Sequence, residues 1–199
     1  IIQVAAVAKF QTTNVVITKI LGPEYVTTYN IAYKYFSAAL LVLNIITTPY
    51  CSAFTEAYTV SDFQWIRKIM NQLRNLWYLC IVLLIIMLIY SKYIFNIWIG
   101  NDIEIPWKLS ILMTINMILT TRYSMYITLI NGIGKIRLQL ITNLVLCTIF
   151  IPLSVFLAKN FGLEGITMAN ILVSLIYAII APVQGEKIIN QTAKGIWDK

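Results

Sequence analysis

Long apolar runs between charged residues set the pattern of the chain. Tyr35 to Thr55, Leu138 to Ala158 and Gly165 to Gly185 each give 21 residues without a Lys, Arg, Asp or Glu, and Asn75 to Ser91 gives 17. A helix needs about 20 residues of low polarity to cross the hydrocarbon core, so each run predicts a span. Ile1 to Thr18 joins them if Lys9 is tolerated, and Leu109 to Gly134 if Arg122 is. The prediction is an all-α integral membrane protein with about six transmembrane helices, near 1–20, 30–57, 74–94, 107–132, 137–158 and 164–185. Membrane β-strands would alternate over about 10 residues, and these runs do not. Gly22-Pro23, Gly100-Asn101, Gly132 with Gly134, and Gly162 with Gly165 supply the turns. Pro49 should kink the second span and free backbone carbonyls.

Composition agrees. Of the 199 residues 59% are hydrophobic and 12% charged, and the mean hydropathy is +0.78, against about 25% charged residues in a soluble domain. The absence of His removes imidazole catalysis and His-based metal sites. Cys51, Cys80 and Cys147 stand far apart in apolar surroundings, which suits buried thiols and offers no CxxC motif. Ile1 lies inside an apolar stretch that lacks the charged leader and cleavage site of a signal peptide, so the chain reads as a fragment.

Charge sets the expected orientation. The 15 Lys and Arg outnumber 8 Asp and Glu, giving net +7, and the cations are dispersed among apolar runs, which points to membrane lipids and away from nucleic acid. Arg67, Lys68, Arg74, Lys135, Arg137, Lys187, Lys194 and Lys199 fall on one side, which should be cytoplasmic, with both ends of the chain on that side. Lys19, Lys34, Lys92, Lys108 and Lys159 fall on the other, beside Glu24, Asp102, Glu104 and Glu164. Phe63, Ile66, Ile69, Met70 and Leu73 recur at helical spacing among cations and predict a short helix lying in the inner interface.

Several spans carry polar stripes. Asn30, Tyr33, Ser37, Asn44, Thr48, Cys51 and Thr55 share one face of the second, and Ser110, Thr114, Met117, Thr121, Ser124, Thr128 and Asn131 one face of the fourth. The sixth has Thr167, Asn170, Ser174 and Tyr177; the first has Gln3, Gln11, Asn14 and Thr18, with Lys9 on roughly the opposite side. Ser and Thr alone serve close helix packing. Amides on several helices point to a shared hydrated cavity, since amides facing lipid lack partners. Arg122, 14 residues from Lys108 and 13 from Lys135, calls for an anion in a cavity, a partner on another helix, or a path toward water along its own length.

No GxxxxGK[ST] loop occurs, so the chain itself does not hydrolyse nucleotide. No pair of acids lies within a span, which weighs against a membrane glycosyltransferase or polymerase.

Phe10-Gln11-Thr12-Thr13-Asn14, Ile20-Leu21-Gly22-Pro23-Glu24, Tyr29-Asn30-Ile31-Ala32-Tyr33-Lys34, Thr48-Pro49, Phe54-Thr55-Glu56-Ala57-Tyr58 and Asn131-Gly132-Ile133-Gly134-Lys135-Ile136-Arg137 follow one another along the chain. Together they resemble bacterial polysaccharide transporters, the O-antigen and capsule-unit flippases related to the multidrug and toxin extrusion exporters. The resemblance covers essentially the whole chain and matches the C-terminal half of a two-bundle transporter. Many of those relatives carry Asp where this chain has Thr13, which bears on carboxylate-based ion coupling. The resemblance implies a cytoplasmic-membrane flippase that moves an undecaprenyl-diphosphate-linked oligosaccharide to the outer leaflet by alternating access, without a cofactor or metal, together with the N-terminal half of the protein. It further implies that Arg122, with Lys9 or Lys34, attracts the diphosphate, and that Gln11, Asn14, Asn44 and Asn170 exchange hydrogen bonds with sugar. An exporter of small amphipathic cations is the rival within the superfamily, and it would want acids in its cavity.

Overall fold

A computed structural model describes residues 2–100 and 103–198, and for residues 2–10 the backbone alone. Every regular element in it is helical. Pro23–Thr47, Phe63–Ile99 and Arg137–Ile189 are each long and apolar enough to cross a membrane, and the chain is an all-α membrane bundle.

Helices α1 (Ile2–Ile20) and α2 (Pro23–Thr47) meet at Gly22, with Pro23 in the first turn of α2, where its missing N–H needs no partner. The expected interruption at Thr48-Pro49 divides α2 from α3 (Tyr50–Thr59). There the Thr48 hydroxyl donates to the Asn44 carbonyl at 2.6 Å.

Helix α4 (Phe63–Ile99) departs from expectation. Residues 63–73, predicted as a separate interfacial helix, are the opening turns of one continuous 37-residue helix. The Asp62 carboxylate starts it by accepting from the Trp65 N–H at 2.9 Å. Neither Gly nor Pro interrupts it before Gly100, and Ile66, Ile69, Met70, Leu73, Cys80 and Leu84 keep one buried stripe across the supposed boundary. At 1.5 Å per residue α4 is about 55 Å long, well beyond a hydrocarbon core of about 30 Å. Its exposed side changes accordingly: Arg67, Lys68, Asn71, Arg74 and Asn75 come first, and from Tyr78 to Tyr90 every exposed side chain is apolar or aromatic.

Helix α5 (Trp107–Ile133) sits at the centre, packed against α2, α3, α4 and α6. A Cβ on Gly132 would collide with the Cys51 carbonyl, so glycine lets α3 come close enough for the Thr55 hydroxyl to donate to the Gly132 carbonyl at 2.6 Å. Gly134 ends α5 in a left-handed conformation at φ 81°, and the N–H groups of Gly134 and Lys135 donate to the Ile130 carbonyl.

Helix α6 (Arg137–Ile189) is two limbs, 137–161 and 163–189, separated at Gly162, whose φ of 62° and ψ of −138° are not helical. Leu146 and Phe150 pack with Ala169 and Val173, and Tyr177 donates to Asn143, so the limbs run antiparallel. The chain then folds back in a 3₁₀ turn, Gly195–Asp198. Lys135 pairs with Asp198 and lies 5.1 Å from the Tyr58 ring centroid. Burial works against its charge, but Asp198 and Tyr58 hold the ammonium pKa above its ordinary value.

Candidate functional site

Large apolar side chains such as Leu41, Ile45, Leu79, Ile89, Phe156 and Ile179 are exposed on the outside of the bundle, whereas amides and phenols gather inside it. Asn116 and Thr120 on α5, Tyr29 and Tyr33 on α2, and Asn170 and Ser174 on the second limb of α6 line a cavity of about 190 Å³, completed by Thr13, Leu40, Met117 and Tyr123. The Ser174 hydroxyl donates to Asn116 Oδ1 at 2.9 Å. Asn170 Nδ2 donates to the Tyr29 hydroxyl at 3.2 Å. Tyr29 stacks on Tyr33 with centroids 6.3 Å apart, and Tyr123 lies 5.3 Å from Tyr177. No acid or base is among the lining residues.

The hydroxyl stripes and the amides behave differently. Thr114, Thr121 and Thr128 donate to the carbonyls of Ser110, Met117 and Ser124, four residues back on α5 itself. Such hydroxyls are satisfied within their own helix and pack neighbours closely. Asn116 bonds across helices, and Asn170 Nδ2 does so to Tyr29 as well as donating to the Ile166 carbonyl on its own helix; leaving such a buried amide unpaired costs about 1–3 kcal/mol. Asn14 Oδ1 and Asn30 Oδ1 are buried acceptors with no partner among the described residues.

Of the residues singled out from sequence, Asn170 lines the cavity. Asn14 is half-buried on α1. Asn44 is exposed and accepts from the Ser124 hydroxyl at 3.0 Å. Gln11 and Lys34 are exposed, and the Lys9 side chain lies outside the described residues. Arg122 is exposed, with its guanidinium 5.4 Å from the Trp77 ring centroid. At roughly 100° per residue it projects about 100–160° around α5 from Asn116, Thr120 and Tyr123. Of the six whose side chains are described, the structure therefore brings only Asn170 to the cavity.

The depth of Arg122 also differs from the gap count. Midway between two lysines in sequence, it packs at Trp77, and the Trp77 indole N–H donates to the Ile118 carbonyl at 3.1 Å. On α4, Arg74 and Lys92 bracket the apolar surface; 18 residues apart, they are separated by about 27 Å, close to the hydrocarbon thickness. Arg122 is thus level with the Arg74 end of that apolar surface, and a cation at a membrane edge is far cheaper than at the bilayer centre.

Asn116, Tyr29 and Thr120 were not singled out from sequence. Asn116 falls one residue off the Thr114–Met117 stripe, and its amide in the middle of a span is the signal that marks it. Comparisons with family models, curated proteins and solved structures each return no match.

Proposed function

We propose that the chain is part of a flippase that carries the sugar headgroup of an undecaprenyl-diphosphate-linked oligosaccharide across a bacterial cytoplasmic membrane by alternating access. The single observation that carries this reading is the uncharged cavity of Asn116, Asn170, Ser174 and paired tyrosines inside a bundle whose exterior is apolar. Taking a polar group into hydrocarbon without a partner costs several kcal/mol. Amides that already trade hydrogen bonds between helices can trade them with sugar hydroxyls, and phenol rings offer flat apolar faces to the C–H faces of a pyranose. The ordered sequence resemblance to polysaccharide transporters supports the same cargo. The basic end, with Arg67, Lys68 and Arg74, would face the cytoplasm. Arg122 and Lys34, which the resemblance assigns to the diphosphate, lie outside the cavity, so the reading rests on its neutral lining. An exporter of amphipathic cations would want a carboxylate there, and none of the lining residues carries one.

The test is leaflet exchange of a fluorescent lipid-linked oligosaccharide in proteoliposomes holding the protein made from its complete reading frame. Exchange well above protein-free vesicles, with the lipid chemically unchanged, is expected. Exchange at the protein-free rate would overturn the proposal, and elongated or transferred sugar would favour the transferase reading.

A further inference from the structure

The side of α5 turned away from the cavity carries its own chemistry. Ile111, Ile115 and Arg122, spaced by 4 and 7 residues, form one helical stripe. All three are exposed although they belong to the central helix. The stripe opens between two walls. On one side stands α4, with Trp77 beneath Arg122 and Arg74 one turn away. On the other stands the second limb of α6, where Glu186 accepts from the Tyr126 hydroxyl at 3.3 Å.

Arg122 has no carboxylate within ion-pair distance; among the described residues the recorded ion pair is Lys135 with Asp198. Its guanidinium rests on an indole that is itself anchored to the Ile118 carbonyl, which steadies the planar fork and leaves its N–H groups to an outside acceptor. From Arg122 the exposed stripe runs back to Ile111, 11 residues or about 17 Å, into the zone where α4 exposes only apolar and aromatic side chains.

We infer that Arg122 and Arg74, on the Trp77 platform, bind the phosphate of an anionic membrane lipid whose tail lies along Ile115 and Ile111. Charge complementarity selects phosphate, and the apolar side chains of Ile115 and Ile111, the latter in a pocket with Leu112, Phe161 and Met168 that Lys108 and Glu164 close at its far end, select a lipid over a free anion. The inference does not depend on the transport reading, since the site holds a lipid phosphate whether or not sugar passes through the cavity.

A chain keeping Trp77 as its one tryptophan, with Trp65, Trp98, Trp107 and Trp197 changed to Phe, reports occupancy through quenching by brominated tails in detergent micelles. Brominated phosphatidylglycerol should quench at a lower mole fraction than brominated phosphatidylcholine. Arg122→Gln with Arg74→Gln should raise the half-quenching fraction of phosphatidylglycerol about tenfold and abolish the preference, as loss of charge-assisted hydrogen bonds requires. Arg122→Lys should retain part of it, and Lys159→Gln, at the opposite end, all of it. Helical circular dichroism identifies variants that failed to fold, and Arg74→Gln alone, on an exposed side chain, should still show a weakened preference. Equal quenching by the two lipids, or unchanged binding in the double variant, overturns the inference. So does full displacement by inorganic phosphate at equal phosphate concentration, which assigns the site to a free anion. No quenching by either lipid means that protein covers this face, and it overturns the inference as well.

Discussion

Helix α5 presents two opposite chemistries on one cylinder. Its inner side, at Asn116, Thr120 and Tyr123, is polar, uncharged and lines the cavity, whereas its outer side, at Ile111, Ile115 and Arg122, is apolar, exposed and ends in a permanent cation. In a soluble protein the polar side would face out. In a bilayer the solvent is apolar, so polar groups are stable where they find partners inside the bundle or where the outside turns polar again at the membrane surface. Asn116 takes the first solution and Arg122 the second.

The largest effect should come from placing a charge on the outer side at the wrong depth. Ile115→Lys puts an ammonium seven residues, about 10 Å, deeper than Arg122, and on insertion scales this costs about 2.5–3.5 kcal/mol. The yield of membrane-inserted, folded protein should fall sharply. An unchanged yield would mean that Arg122 does not mark the boundary. Next in size is Asn116→Leu, which removes the acceptor for Ser174 and leaves a buried hydroxyl unpaired at about 1–3 kcal/mol. At equal amounts of folded protein it should slow leaflet exchange of lipid-linked sugar more than tenfold. Arg122→Gln should slow exchange severalfold and Arg122→Lys less, since lysine keeps the charge but loses the planar fork; a Gln variant with normal exchange would remove Arg122 from transport and leave it the lipid contact alone. The smallest effect belongs to Thr121→Val. Thr121 is fully buried, yet its hydroxyl bonds to its own helix, so thermal unfolding in detergent should shift by no more than about 0.5 kcal/mol. A large loss would show that the Thr121 hydroxyl bonds between helices after all.

Helix positions were largely legible because low polarity over a membrane's width is a strong, local signal. The break at Pro49 and the antiparallel limbs around Gly162 follow from single residues whose backbone limits are known in advance. What was not legible depends on which helices touch. The joining of residues 63–73 to α4 is set by the stripe from Ile66 to Leu84 and its packing partners, and a cation-rich segment on its own looks interfacial. The depth of Arg122 is set by α4, since counting residues to the nearest lysines measures distance along a helix that extends past the membrane. Asn44 and Asn170 look alike in sequence, each an amide on a polar stripe. Packing exposes the first beside Ser124 and buries the second against Tyr29.

The central claim is that the inner side of α5 lines a water-filled passage, and thiol accessibility tests it most directly. Thr120→Cys and Ile115→Cys would each be placed in a chain whose Cys51, Cys80 and Cys147 are replaced, and a membrane-impermeant maleimide added first from one side of the membrane and then from the other. The account predicts that the thiol at position 120 reacts from both sides, as the passage opens alternately, and that the thiol at position 115 reacts from neither. A thiol at position 120 that reacts from neither side would contradict the account and leave the amide cluster as helix packing alone.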